Sequence, residues 1–227
     1  MALAELAREL ALPKSSAHGL LATLVSLDLA RRDADGHFAL GPRALQWASA
    51  YSLQSDVTAA FLEQTRHPGP LASETVMLAV LDGREVVYLA CRQGSRPLAV
   101  NFRVGGRLPA TCTATGKAML ATLSEGLRRP LLEPPLAQLT RHSITEPATL
   151  ARRLTVIQRQ GYAVDDEETA EGMQCFGAPV FCAGESSAIA AVAVSLIKAG
   201  LSTRRRDAMI EAIRQLAQHL SQRLGAQ

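Results

Sequence analysis

Three stretches in the second half of the chain carry side chains that could bind a ligand or take part in chemistry. Residues 108–117 are rich in hydroxyl groups and run into a predicted helix, residues 165–168 are four successive carboxylates, and Cys175 lies in a predicted strand. A helix N-terminus presents unpaired N–H groups and a positive dipole, which suits a carboxylate ligand. Neighbouring carboxylates suit a metal ion or acid–base chemistry, and a thiol suits nucleophilic attack.

Each stretch also has an ordinary structural interpretation. Residues 108–117 are not a nucleotide-binding loop, because no glycine stands five residues before Gly116 and Ala118 replaces the residue that would hold magnesium. They are either a ligand loop or a capped helix without a ligand. Residues 165–168 alternate between the faces of a strand, so a solvated loop is the common alternative. No histidine motif accompanies Cys175, which is typical of a buried strand cysteine.

The composition narrows the classes of protein to which the chain belongs. Its 227 residues are 48% hydrophobic and 20% charged, with a net charge of +3, as in a soluble globular protein of one or two domains. The longest apolar stretches reach about ten residues, and a bilayer needs roughly 20. No signal peptide is predicted, and the four cysteines form no disulfide or zinc motif. We therefore expect a cytoplasmic protein with reduced thiols, no membrane partner, no metal and no cofactor.

The first fifty residues predict two short helices and a hairpin. The two apolar helical stripes consist of Leu3, Leu6, Ala7 and Leu10, and of Ala17, Leu20, Leu21, Leu24 and Leu27. Pro13 separates them, and the serines that follow offer a capping hydroxyl. Residues 29–32 and 37–40 flank an Asp-Gly turn, which predicts a hairpin. Together these elements predict a winged helix-turn-helix, whose second helix enters the major groove of DNA, or a helix pair and hairpin with no DNA role.

The rest of the chain predicts a helix followed by an α+β domain. Gly41-Pro42 begins a helical stripe that ends before residue 67, and Asp82-Gly83 between two apolar runs predicts a hairpin. Further helices are predicted over 115–123, 150–160 and 203–224, and strands over 98–102, 162–166, 174–181 and 188–196. Strands and helices mixed around hairpins indicate an antiparallel sheet. We expect a DNA-binding domain over 1–41, a linker helix over 42–66 and a second domain over 67–227.

One family resembles this chain over nearly its whole length. The IclR family of bacterial transcriptional regulators has a winged helix-turn-helix similar to LAELARELALPKSSAHGLLATLVSLDLARRDADGHFALGPRAL. The resemblance implies an α+β protein with an N-terminal winged helix-turn-helix that begins after the family's first helix. It also implies a linker helix that helps dimers form, and a GAF-like effector-binding domain on an antiparallel sheet.

The pattern and the resemblance together assign candidate site residues. The expected DNA contacts are Lys14, Ser15, Ser16 and His18 in the groove, with Arg31 and Arg32 on phosphate. The effector contacts that the resemblance implies are Leu108, Ala114, Thr115, Gly116, Asp165, Met173, Cys175 and Ser195. Ala193 stands where some relatives have a serine, and with Leu108 and Val100 it favours a more apolar acid than glyoxylate or pyruvate.

The function that follows is a dimeric or tetrameric transcriptional regulator. It would bind a palindromic DNA operator, and a small organic acid would modulate that binding. One alternative is a ligand-binding module that does not bind DNA, because the first helix is absent and Gly19 stands where the family often has arginine. The other is a small enzyme that uses Cys175 or the carboxylates of 165–168.

Overall fold

The computed structural model describes residues 1–54, 56–66, 69–95 and 102–226. The chain divides into two compact units, Met1–Ser55 and Asp56–Gln227. The predicted linker segment 42–66 contains this division. Val100 and most of the strand predicted over 98–102 lie outside the described residues. None of the described helices is long and apolar enough to cross a membrane.

The N-terminal unit consists of two helices, a hairpin and a third helix. Its elements are α1 (Leu3–Glu9), α2 (Lys14–Ser26), β1 (Ala30–Arg32), β2 (Phe38–Leu40) and α3 (Arg43–Gln54). The hairpin strands are antiparallel, with Ala30 opposite Leu40. Gly36, with φ of +84°, closes the turn between them in a backbone conformation that favours glycine. The winged helix-turn-helix predicted from the pattern is therefore present.

The predicted cap of α2 is wrong. The helix begins at Lys14 with Pro13 at the N-cap, and no side chain caps it. Ser15 and Ser16 lie inside the first turn and are exposed to solvent. The proline sets the start instead, because its fixed φ suits the entry of a helix and it has no N–H to satisfy.

The two apolar stripes of this unit are buried less than predicted. Ala7 and Ala17 are the buried hydrophobic side chains among its described residues. The exposed leucines of the stripes are Leu10, Leu20, Leu24 and Leu27. Helices of 7 and 13 residues cover only the sides that they turn toward each other, so the rest of each stripe stays open.

The second unit is a six-stranded antiparallel sheet with helices on both faces. Its helices are α4 (Asp56–Gln64), α5 (Ala114–Leu120), α6 (Glu125–Arg128), α7 (Pro147–Gln160) and α8 (Thr203–Arg223), with a 3-10 helix at Arg129–Leu132. Its strands are β3 (Thr75–Asp82), β4 (Glu85–Arg92), β5 (Arg107–Pro109), β6 (Ala163–Asp166), β7 (Met173–Val180) and β8 (Ala190–Ile197). Their order in the sheet is β5-β4-β3-β8-β7-β6.

The alternation of side chains along each strand builds two cores. In β3, Val76 and Leu78 pack on one face with residues of α4 and α8, such as Phe61 and Ile213. Met77 and Ala79 point to the other face, where α5 and α7 pack. Because both faces are covered, the central strands are apolar almost throughout, as the run in β8 shows.

Candidate functional site

The start of helix α5 is held against the sheet by small residues. Thr113 caps the helix, and its Oγ1 accepts the backbone N–H of Gly116 at 3.0 Å. A Cβ on Gly116 would lie 2.2 Å from the Ala110 carbonyl oxygen, and one on Gly177 of β7 would lie 2.7 Å from the Ala114 carbonyl carbon. Only glycine allows these two approaches. Gly177 therefore sets the distance between α5 and the sheet, and Gly116 lets the loop before α5 pack against the helix.

A small cavity lies between the start of α5 and the sheet. The described residues that line it are Met77, Tyr88, Phe102, Thr113, Ala114, Thr115, Asp165, Thr169, Cys175 and Ala193. Its volume is about 10 Å³, which is room for about one water molecule. A larger ligand therefore requires side chains to move. Thr115 is 1% exposed, and its hydroxyl interacts with the phenol of Tyr88 on the same wall.

Asp165 lies at the end of β6 with its carboxylate turned inward. Its Oδ1 accepts the backbone N–H groups of Glu168 at 2.8 Å and Thr169 at 3.1 Å, so it shapes the following turn. Burial raises the pKa of this carboxyl group, although Lys117 and the hydrogen bonds from the turn oppose the rise. Asp165 is thus both a structural acceptor and a polar group on the cavity wall.

A polar row crosses the sheet beside Asp165. In the strand register, Asp165 is opposite Cys175, and Cys175 is opposite Ser195. The Cys175 Sγ and Ser195 Oγ atoms are 3.1 Å apart, and Ser195 also contacts the Met77 sulfur at 3.8 Å. Burial raises the pKa of Cys175 well above its usual value, so the group is a neutral thiol near pH 7. A neutral thiol contacts a ligand but is a poor nucleophile.

A buried ion pair lies behind the cavity wall. Lys117 of α5 is fully buried and pairs with Glu168, whose side chain is 7% exposed. The other carboxylate oxygen of Glu168, Oε2, is buried and has no hydrogen-bond partner among the described residues. Burial raises the pKa of Glu168, and Lys117 opposes that rise. The pair connects α5 to the turn that Asp165 shapes.

Tyr88 and Phe102 form the aromatic part of the cavity wall. Their rings pack edge to face, with centroids 5.3 Å apart. Burial strongly raises the pKa of Tyr88, Cys175 and Asp165 raise it further, and the adjacent Thr115 hydroxyl lowers it. The phenol is therefore a neutral hydrogen-bonding group at every physiological pH.

The candidate effector residues occupy different positions around the cavity. Four of them line it: Ala114, Thr115, Asp165 and Cys175. Ser195 does not line the cavity but contacts Cys175, which does. Met173 is buried on the same side of the sheet as Cys175. Gly116 holds α5 close to Ala110, and Leu108 is half-buried in edge strand β5, opposite Val86. The sequence argument did not select the lining residues Met77, Tyr88, Phe102, Thr113 and Thr169.

The four carboxylates of 165–168 do not gather into a metal site. Asp166 pairs with Lys198, Glu167 with Lys198 and His142, and Glu168 with Lys117. Among the described residues, the one cluster with metal-ligand spacing is Asp33, Asp35 and His37 in the exposed hairpin turn. The Asp33 carboxylate there already accepts the N–H groups of the other two residues, which explains the cluster as a turn motif.

The candidate DNA contacts all lie at the surface of the N-terminal unit. Lys14, Ser15, Ser16 and His18 are exposed on the first turns of α2. Arg31 and Arg32 are adjacent in β1, so they point to opposite faces of the hairpin. The Arg32 guanidinium lies 5.6 Å from the centre of the Phe38 ring, and its Nε is 3.4 Å from the Gly36 carbonyl oxygen. Arg32 therefore also stabilises the hairpin.

Two family profiles match the chain, and together they cover most of its length. Residues 1–34 match the IclR helix-turn-helix domain, and residues 53–222 match the C-terminal domain of the bacterial transcriptional regulator IclR. The chain belongs to the IclR family. It is accordingly a transcriptional regulator with a helix-turn-helix domain and a C-terminal effector domain, and it is not an enzyme.

Curated and structural relatives agree with this IclR assignment. The transcriptional regulator BhcR of Paracoccus denitrificans is 32% identical over 97% of this chain and 80% of its own length. The crystal structure of the Agobacterium tumefaciens repressor BlcR has 39% identity and a TM-score of 0.71, over 100% of this chain and 90% of that one. An IclR homologue from Microbacterium hydrocarbonoxydans, in complex with 4-hydroxybenzoate, has 25% identity and a TM-score of 0.82. That match covers 100% of this chain and 92% of the homologue.

Proposed function

We propose that this regulator binds a palindromic DNA operator through α2 and the hairpin, and that a small organic acid in the cavity changes its affinity for that operator. The protein would act in the cytoplasm, where bacterial DNA lies. Segment 42–66 would join the DNA-binding part to the effector part.

The exposed residues of the N-terminal unit support the DNA-binding part of the proposal. In helix-turn-helix proteins, the N-terminal residues of the second helix reach the base edges. That part of α2 contains four side chains that are exposed to solvent: Lys14, Ser15, Ser16 and His18. Arg31 and Arg32 supply the positive charge that binds phosphate and sets the orientation on the duplex.

The cavity between α5 and the sheet carries the effector part of the proposal. Thr115 and Asp165 place a buried hydroxyl and a buried carboxyl group on its wall, where a ligand can form hydrogen bonds with them. The walls combine apolar side chains with a few inward polar groups, which is the usual composition of a small-molecule site. Ala193 lies on the wall and offers no hydroxyl, in keeping with an acid that has an apolar body. The relative that holds 4-hydroxybenzoate binds an acid of this kind.

Coupling between the two parts requires two arrangements of paired DNA-binding units. An effector shifts the equilibrium between these two arrangements only if it binds one of them more tightly than the other. A palindromic operator calls for a dimer or tetramer, since each half-site takes one recognition helix. The exposed Leu45 and Trp47 of α3 are apolar side chains that a second copy would cover.

The test is fluorescence anisotropy of the whole chain on the DNA upstream of its own gene, with an unrelated duplex as control. We expect affinity for the upstream DNA to exceed that for the control by about a thousandfold or more, with a steep dependence on salt. Equal affinity for both duplexes would contradict the proposal.

Gly19 favours a second candidate, a ligand sensor without DNA binding. A Cβ at Gly19 would meet nothing within 4 Å, so this surface position of α2 lacks a side chain that could reach DNA. Equal binding to both duplexes, together with ligand binding in the cavity, would support this candidate.

A further inference from the structure

The cavity beside the start of α5 has almost no free space, because side chains of its own wall fill it. Its volume is about 10 Å³, whereas a cavity that holds a benzene molecule measures about 150 Å³. The largest side chains on the wall are Met77, Tyr88 and Phe102, and each is at most 4% exposed. A ligand larger than a water molecule can therefore enter only if a part of this wall moves.

Most of the wall is fixed by the sheet and by α5. Met77 and Tyr88 lie in the paired strands β3 and β4, and Met77 is also opposite Ala193 of β8. The start of α5 packs closely on β7 at Gly177, and the hydroxyl of Thr113 caps its first turn. Moving any of these groups would break strand pairing or the packing of α5 on the sheet.

Phe102 is held by fewer interactions than the rest of the wall. It belongs to no helix or strand, and its carbonyl oxygen accepts Gln93 Nε2 at 3.1 Å, which is the one hydrogen bond that it forms with the described residues. Its ring packs edge to face on Tyr88, with ring centroids 5.3 Å apart. Two residues further on, the side chain of Val104 is 63% exposed, so the chain reaches the surface directly after the ring. The ring can therefore leave the cavity without breaking a strand or a helix.

We propose that the Phe102 ring occupies the place of the effector's apolar body, and that the effector displaces this ring when it binds. This inference rests on the proposed function and specifies the chemical class of its ligand. The space that the ring leaves has the size and shape of one aromatic ring, and Tyr88 borders it in the edge-to-face arrangement that aromatic pairs prefer. The ligand is accordingly an organic acid with a single aromatic ring, which takes over the contact of Phe102 with Tyr88.

A displaced ring and a fixed wall predict opposite effects of shortening Phe102. If the ring competes with the ligand, only the minor state with the ring outside binds, and the apparent Kd is the intrinsic Kd divided by the fraction of that state. A minor state of about 1–10% weakens binding about 10- to 100-fold, and removing the ring restores the intrinsic affinity. If the ring is instead a fixed contact for the ligand, removing it loses that contact and weakens binding.

The experiment is isothermal titration calorimetry of benzoate and acetate with the whole chain and with the variants Phe102→Ala and Val104→Ala. We expect the Kd for benzoate to fall about 10- to 100-fold in Phe102→Ala. It should not change in Val104→Ala, which shortens an exposed side chain two residues further on. Acetate has no ring to fill the vacated space, so benzoate should bind Phe102→Ala more tightly than acetate does. An equal or higher Kd for benzoate in Phe102→Ala would overturn the inference.

A second measurement follows the ring in the full-length side chain and does not depend on the stability of Phe102→Ala. The five phenylalanines are replaced by 4-fluorophenylalanine, and the variant Phe102→Leu identifies the ¹⁹F signal of Phe102. Saturating benzoate should make that signal sensitive to the exchange of H₂O for D₂O, as expected for an exposed ring. The signal of Phe61, which is buried in the core on the other face of the sheet, should stay insensitive. A Phe102 signal that stays insensitive while benzoate binds would also overturn the inference.

The outcomes separate this inference from the proposed function. Benzoate that binds with the ring in place, or acetate that binds Phe102→Ala more tightly than benzoate does, would overturn the inference and leave an acid effector in the cavity. If neither acid binds to the unaltered chain or to Phe102→Ala, the inference and the effector part of the proposed function fail together.

Discussion

Gly177 of β7 lies so close to Ala114 of α5 that no larger residue fits between them. A Cβ on Gly177 would come within 2.7 Å of the Ala114 carbonyl carbon and 2.8 Å of its oxygen. Because Ala114 and its neighbour Thr115 form one wall of the cavity, this contact also sets the distance between that wall and the sheet.

We therefore expect Gly177→Ala to push α5 away from the sheet. The overpacking should lower the free energy of unfolding by about 1–3 kcal/mol, measured from the denaturant midpoint by circular dichroism. Gly126→Ala is the matched control, because its Cβ would meet nothing within 4 Å and its φ is not positive. Equal stability of the two variants would contradict the close packing of α5.

The buried pair of Lys117 and Glu168 predicts a second stability effect. Lys117→Met leaves Glu168 buried without its partner, and we expect a loss of about 3–5 kcal/mol in the free energy of unfolding. Lys198→Met removes a lysine whose side chain is 39% exposed and should cost about 1 kcal/mol or less. A loss in Lys117→Met no larger than in Lys198→Met would show that the pair is not desolvated as described.

Asp165 and Asp166 predict opposite dependences of stability on pH. Burial raises the pKa of Asp165 in the folded chain, so the stability that it contributes falls as pH rises from its unfolded pKa toward the raised value. Partial burial of Asp166 is outweighed by hydrogen bonds from Lys198 and Gln174, which lower its pKa. Its contribution is present above the unfolded pKa and is lost on acidification.

The melting temperatures of two asparagine variants test this difference. Relative to the unaltered chain, Asp165→Asn should gain stability between pH 4 and pH 7, and Asp166→Asn should lose it. Shifts of the same sign in both variants would contradict the assignment of one buried and one solvated carboxyl group.

DNA affinity should distinguish the candidate contacts on the hairpin and on α2. Arg31→Ala should weaken binding to every duplex and reduce the salt slope by about one, as expected for a lost phosphate contact. His18→Ala should weaken binding to the upstream DNA more than to an unrelated duplex, by about 1–3 kcal/mol, if it reads a base.

Arg152→Ala is the charge-matched control for the DNA measurements, because it removes one positive charge from α7 in the second unit. Its salt slope should not change. A slope that falls equally in Arg31→Ala and Arg152→Ala would mean that overall charge, rather than a contact by the hairpin, causes the effect.

Local sequence signals predicted the long helices and most of the strands, but not the short elements β5 and α6. Gly161, with φ of +76°, ends α7 where the glycine predicted a stop, and the hairpin of β3 and β4 turns at Gly83. These features depend on residues close together in the chain. The exposed leucines of α1 and α2 show the limit of such signals, since periodicity indicates an apolar stripe but not what covers it.

The cavity was only partly predictable because distant strands build it. Met77 and Ala193 meet only through the pairing of β3 with β8, and Lys117 pairs with a glutamate 51 positions away. The local sequence pattern predicts neither the register of two paired strands nor an ion pair between residues so far apart in the chain. The resemblance to a family identified Asp165 and Cys175, whereas Tyr88 and Met77 required the sheet itself.

The most direct test of the regulator as proposed is the effect of a cavity ligand on DNA affinity. Anisotropy on the upstream DNA should be measured with and without benzoate, in the unaltered chain and in Thr115→Val. Valine keeps the volume and removes the hydroxyl that Thr115 places on the cavity wall, so the ligand should bind less tightly. We predict that ligand changes the Kd for DNA by about 5- to 150-fold in the unaltered chain and by much less in Thr115→Val. A ligand that binds the cavity and leaves the Kd for DNA unchanged would contradict the account.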